Sequence, residues 1–185
     1  MRLEPAEGPP HRFLGSEVMA ELNGWKFRHD RVEWPGGLVS DFRVLEGPEA
    51  AVMVPYFEDG TTVLVRQWRH SWGESSWEVP AGTLDSDETP EGCAGRELVE
   101  ECGLRAGSWT SLGTARGTAV ATIKFHLFLA QDLIRVESRL EAAEADLIVR
   151  ELPFDEALAA ALDGRVYHAA SVTAICRAAR ALGRI

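Results

Sequence analysis

The chain has 185 residues, 45% of them hydrophobic and 26% charged, a balance that suits a soluble domain with a proper core and a small appendage. Its net charge of −10 argues against nucleic acid held through phosphate contacts. Three cysteines without metal-ligand spacing, no apolar core in MRLEPAEGPPHR and no apolar run near the ~20 residues of a membrane span predict a cytoplasmic protein that does not enter membranes.

Residues 1–12 are rich in proline and glycine and read as a loose segment. Residues 13–46 suggest short strands joined by turns: Gly24 to His29, a Pro35-Gly36-Gly37 turn, then Leu38 to Leu45. So thin a segment buries little by itself and needs something to dock on. Residues 47–185 form the main domain. Ala50 to Phe57 and Thr61 to Gln67 are apolar strands around an Asp59-Gly60 hairpin turn, and Trp77 to Pro80 is a short strand. A helix follows Thr89. Trp109 to Ala115, Ile123 to Ala130 and Leu147 to Leu152 read as strands, then Phe154 to Leu162 and Ala169 to Leu182 as alanine-rich amphipathic helices. Strands mixed with a few helices predict an α/β/α sandwich around a mixed sheet.

The chemistry concentrates in GTLDSDETPEGCAGRELVEECGL, residues 82–104. Thr89-Pro90 opens the helix with a hydroxyl cap and a proline whose missing N–H costs nothing there. Gly103 closes it where a left-handed residue is wanted. Glu97, Glu100 and Glu101 stand at i, i+3 and i+4 and project from one face, whereas Ala94 and Leu98 suit a sheet. Three like charges near a helix C-terminus repel one another and oppose the macrodipole. A hard divalent cation among their oxygens makes that tolerable. A solvated acidic face is the alternative. Cys93 and Cys102 read as small packing residues, and Gly92 and Gly95 cost the helix ~1 kcal/mol each with close packing as the one available reason.

Gly82, Glu88, Arg96-Glu97, Glu100-Glu101 and Gly103, with Leu98 and Leu104 as the aliphatics, occupy every fixed position of the Nudix box. Seven of these positions demand one residue type, which at ~5–7% usage chance supplies about once in a hundred million starting points. The chain therefore resembles the Nudix hydrolases. From about Phe13 onward it is also similar to their ADP-ribose pyrophosphatase branch, through VLVRQWRH, SWEVPAG joined to the box, FHLFLA and DGRVYHAASVTAICRA. The resemblance implies a Mg²⁺-dependent pyrophosphohydrolase, with Mn²⁺ able to substitute. Its substrate would be a small-molecule nucleoside diphosphate derivative of the ADP-ribose or nucleotide-sugar type.

By the same resemblance Glu97 and Glu101 are the main metal ligands, Glu100 is a further ligand or bridge, and the Ala81 carbonyl is the additional oxygen. Glu88 and Arg96 form an ion pair that pins the box loop to its helix. Arg66 and Arg69 lie on opposite strand faces, and family position favours Arg69 as a phosphate or ribose contact, with Asp85 as a second candidate. Trp68 and Trp72 either stack on a base or pack, and His126 and His168 read as packed or capping residues. The branch commonly pairs its N-terminal strands between two subunits, which implies a homodimer with Trp25 and Trp34 as anchors; the alternative is that both cap their own subunit.

Two departures stand out. Relatives place a glutamate before the Leu147 strand, as metal ligand or base; here that position is Ala145, with Glu144 adjacent and Glu141 and Asp146 near. Glu144 is the candidate replacement, and Glu100 the candidate base if no loop carboxylate serves. RGTAVAT, residues 116–122, lacks the Pro-Gly-x-x-x-Glu-like pattern common in ADP-ribose hydrolases and leaves nucleotide sugars open. A catalytically silent module that binds a nucleotide for regulation is the alternative function. The complete carboxylate set favours catalysis, since a binder has no need of it.

Overall fold

The computed structural model describes residues 8–137 and 146–185, and its contacts divide the chain into two units. One unit comprises residues 8–48 with 118–123, the other 49–117 with 124–185.

The first unit is an antiparallel sheet of strands β1 (Arg12–Leu22), β2 (Trp25–Glu33) and β3 (Val39–Glu46). Asn23 and Gly24 both take positive φ and close the β1–β2 hairpin, a two-residue turn whose twist matches the strands it joins. Gly36 and Gly37 do the same work for the β2–β3 turn. Val120 and Thr122 bond Leu45 on β3, so part of RGTAVAT belongs with this sheet rather than with the strands that flank it in sequence. β1 extends through its pairing with β2, and because nearly all of its residues are exposed it shows no clean alternation. Neighbours Val18 and Met19 are each more than half exposed.

The second unit carries the core. Its strands are β4 (Ala50–Pro55), β5 (Thr61–Arg69), β6 (Glu74–Glu78), β7 (Ala81–Thr83), β8 (Leu104–Ala115), β9 (Phe125–Arg135) and β10 (Ile148–Pro153). Its helices are α1 (Pro90–Cys102), α2 (Phe154–Asp163) and α3 (Ala169–Ala181). One sheet runs β7-β4-β9-β8 and is mixed, with β4 parallel to β9; the other runs β10-β5-β6, antiparallel.

Buried β4 shows how the layers form. It is apolar at every position because both of its faces are covered. Ala51 and Met53 pack with Cys93, Ala94 and Leu98 of α1, while Val52 and Val54 pack with Phe154, Ala157, Ala174 and Ile175 of α2 and α3. The period of two along the strand thus separates two helical layers, and the α/β/α sandwich read from the sequence is the observed architecture. β8 and β9 run longer than the sequence patterns suggest, since backbone pairing with each other extends them past their apolar stretches. No helix among the described residues is long and apolar enough to cross a membrane.

Candidate active site

α1 is built as its ends demand. The Thr89 side chain accepts a hydrogen bond from the Gly92 N–H, Pro90 takes the first helical position, and Gly103 is left-handed with its N–H bonded back into the last turn. A Cβ on Gly92 would lie 3.0 Å from the capping Thr89 hydroxyl, which accounts for that glycine; around Gly95 the space is open and nothing in the structure explains it. With Leu98 and Ala94 turned into the core, Glu97, Glu100 and Glu101 face a cavity of about 530 Å³. Gln67, Arg69, Ala81, Gly82, Asp85 and Arg96 help to line it.

Glu97 is 8% exposed and Glu101 3%. Buried carboxylates require compensation, and here it comes from nearby donors. Arg96 is the hub: its Nε and Nη2 donate to Glu88 at 3.0 and 2.9 Å, and its Nη1 donates to Glu97 at 2.7 Å and Glu100 at 3.0 Å. It also reaches the Thr83 carbonyl at 3.1 Å. The hydrogen bonds to Glu88 and Glu97 push the Arg96 pKa still higher, and the bond from Arg96 holds the Glu88 carboxyl below its ordinary range. Glu88 also receives the Asp85 N–H, which ties the loop to the helix.

Glu101 accepts from the Ala81 N–H at 3.1 Å. Glu97 comes so close to the Gly82 backbone that a Cβ there would sit 1.8 Å from its carboxyl carbon. A side chain at the first glycine of the box would therefore displace Glu97, a reason for glycine that the sequence does not reveal.

Glu97 and Glu100 thus share one Arg96 nitrogen while Glu101 turns to the Ala81 N–H, and among the described residues no three His, Cys, Asp or Glu side chains are gathered into a metal-holding cluster. Their chemistry nonetheless fits a hard divalent ion: all are oxygen donors, two are buried, and they share one cavity wall with Ala81.

Arg69 lines this cavity, while Arg66 lies over the Trp77 ring, as strand alternation requires. Trp68 and Trp72 are about half exposed and do not line the cavity; Trp72 lies 5.8 Å from Tyr167 and 6.0 Å from His168, ring to ring. His126 bonds Glu49. His168 stands at the N-cap of α3 without making a side-chain cap and engages Glu78 and Ser171 instead. Glu78 escaped the sequence reading, although an acidic residue inside the apolar SWEVPAG strand is a signal worth following. Glu144, Glu141 and Ala145 lie outside the described residues.

In the first unit, Trp34 donates to Ser40 and its ring lies tilted 5.2 Å from that of His11, and Trp25 covers Gly47 while remaining 39% exposed. Cys93 is buried in the core and burial pushes its thiol up to about 12, which makes it inert.

A Nudix family model, described as NUDIX domain, matches residues 47–171, and this chain belongs to the Nudix family. Among its relatives are an ADP-ribose pyrophosphatase of Mycobacterium tuberculosis, 33% identical with 88% of this chain and 80% of that one covered, and a GDP-mannose pyrophosphatase of Pectobacterium atrosepticum, 33% identical with 76% and 78% covered. A solved structure titled as an ADP compounds hydrolase superposes with a TM-score of 0.83 over 98% of this chain and 100% of that one, at 21% identity, and so shares the fold. The chain is a Nudix pyrophosphatase, a class whose members generally need a divalent metal.

Proposed function

We propose that the protein hydrolyses the diphosphate linkage of ADP-ribose or of a nucleotide sugar, with Mg²⁺ held by Glu97, Glu101, Glu100 and the Ala81 carbonyl. The observation that carries this reading is the placement of two buried carboxylates, a backbone strand and the Arg69 guanidinium around one polar cavity. The ion would polarise phosphoryl oxygens and lower the pKa of a bound water. Around it, the chain's own groups have distinct tasks. Arg69 presents a cation to the non-bridging phosphate oxygens. Arg96, bonded to Glu88, Glu97 and Glu100 together, fixes the directions of three carboxylates at close range. Asp85, which lines the cavity, accepts from a ribose hydroxyl in this reading. The proton of the attacking water passes to a carboxylate oxygen, of Glu144 or of Glu100.

Residues 47–185 serve as the catalytic domain and residues 13–46 as the dimer-forming extension. Support for a homodimer is the first unit's sheet, which leaves Phe13, Val18, Met19, Leu22 and Phe27 substantially exposed, apolar surface that a partner would cover. The reducing cytoplasm is the compartment of this reading, and no disulfide joins Cys93, Cys102 and Cys176.

Steady-state assays with Mg²⁺ over ADP-ribose, GDP-mannose and other nucleotide sugars, diadenosine polyphosphates and nucleoside triphosphates test the assignment. Turnover of the first two classes with release of a nucleoside monophosphate is the expected result, and it should vanish with chelator. E101Q should lose at least about a hundredfold in kcat, because a charged metal ligand contributes several kcal/mol; turnover within a few-fold of wild type would refute the ligand assignment. E144Q and E100Q separate the two candidate bases by which one flattens the acid-side rise of the pH profile.

A further inference from the structure

Glu78 is the most deeply buried charged residue described, at 0% exposure, and nothing in the box accounts for it. Arg69 grips it with a two-pronged contact, Nε to Oε1 at 2.8 Å and Nη2 to Oε2 at 2.6 Å. From the other side His168 Nδ1 lies 2.9 Å from Glu78 Oε2 and 2.9 Å from the Ser171 hydroxyl, which in turn accepts the Val79 N–H at 3.1 Å. Burial would raise the Glu78 carboxyl, but the bonds from Arg69 and His168 outweigh it and bring the pKa down to about 2. An apolar residue of similar volume would serve stability as well as a buried ion pair does, so the pair has to be explained by what it orients. The fork consumes one edge of the Arg69 guanidinium and fixes its plane, leaving Nη1 over in a side chain that is a third exposed and lines the carboxylate cavity.

We propose that Glu78 is a positioning residue that fixes the Arg69 guanidinium for the substrate's diphosphate, and that His168 and Ser171 hold Glu78 in place. This rests on the reading of the cavity as a diphosphate site. Variants R69Q, E78Q and the double R69Q/E78Q test it, with binding of α,β-methylene ADP-ribose measured by calorimetry beside KM and kcat. R69Q should weaken binding about thirtyfold and E78Q about tenfold, with KM moving more than kcat, and the double should be no worse than R69Q, since residues acting as one unit do not add. In ¹⁵N spectra the Arg69 Nε–H signal should be sharp in the wild type and broadened in E78Q.

E78Q that is folded and binds within about twofold of wild type would overturn the proposal, as would a double variant whose loss is the product of the singles. If E78Q does not fold, H168N replaces it: a loss of binding of about threefold, absent in an R69Q background, supports the chain of contacts, and no loss overturns it. A wild type that binds the analogue but cleaves nothing in the substrate panel defeats the hydrolase reading and leaves this one standing. A wild type that binds neither the analogue nor inorganic pyrophosphate defeats this one.

Discussion

The box segment and the N-terminal sheet use charge and apolar surface in opposite ways. From Gly82 to Leu104 the caps and the inward carboxylates are answered within the same segment or by the strands it packs on. Thr89 and Gly103 cap the helix, Arg96 answers Glu88, Glu97 and Glu100, and the Ala81 N–H answers Glu101. In the sheet of β1, β2 and β3 several charged groups are paired, as in Arg28 with Asp30 and Glu46, yet many apolar ones remain in the open. A segment can satisfy its hydrogen bonds alone, because their partners sit at fixed short range. Three strands cannot bury their own apolar faces, because one sheet has no second layer.

That contrast predicts that damage to the box is independent of protein concentration and damage to the sheet is not. The largest effect belongs to Gly82→Ala. Its methyl group would overlap the Glu97 carboxylate, and kcat/KM should fall about a thousandfold, roughly 4 kcal/mol, with Tm lowered little. A crystal structure of the variant with Glu97 unmoved and activity retained would break the argument.

Next comes the acid limb of stability. The Glu78 carboxyl is lowered from 4.5 to about 2 in the folded protein, so its contribution is complete above the unfolded value and is lost as pH falls through the folded one. Denaturant titrations should show wild type losing about 3 kcal/mol from this group between those two pH values, while E78Q lacks that component of the slope. Equal slopes for the two proteins would contradict the bonding described.

Arg96→Ala leaves three carboxylates without their shared donor. Allowing for the partial exposure of Arg96, it should cost roughly 2 kcal/mol at low salt, less of it at low pH where the carboxylates are protonated. The smallest effect sharpens the other half of the comparison. Val18→Glu with Met19→Lys should shift the dimer–monomer midpoint about tenfold, some 1.4 kcal/mol, in light scattering over a dilution series. A wild type that runs as a monomer at every concentration would remove the partner from this account.

Much of the second unit was legible because its signals are local. The helix start at Thr89-Pro90, its end at Gly103, the carboxylate face and the Asp59-Gly60 turn all depend on residues within one or two helical turns of one another. The Asn23-Gly24 hairpin was equally local and could have been read from that dipeptide. β8 and β9 were foreseen short, since pairing carries strands beyond their apolar stretches.

By itself, then, the sequence determined the family, the sandwich, the helix and the carboxylates on its one face, since each is written in spacing along a few turns of chain. The tertiary structure alone decided that Gly82 must lack a side chain, that Arg96 draws Glu97 and Glu100 as well as Glu88, that Glu78 lies buried between Arg69 and His168, and that residues 118–123 join the N-terminal sheet. Those facts hinge on approach distances between segments far apart in the chain. Burial and contact across such separations are set by the packing of layers and leave no periodic mark on the residues involved.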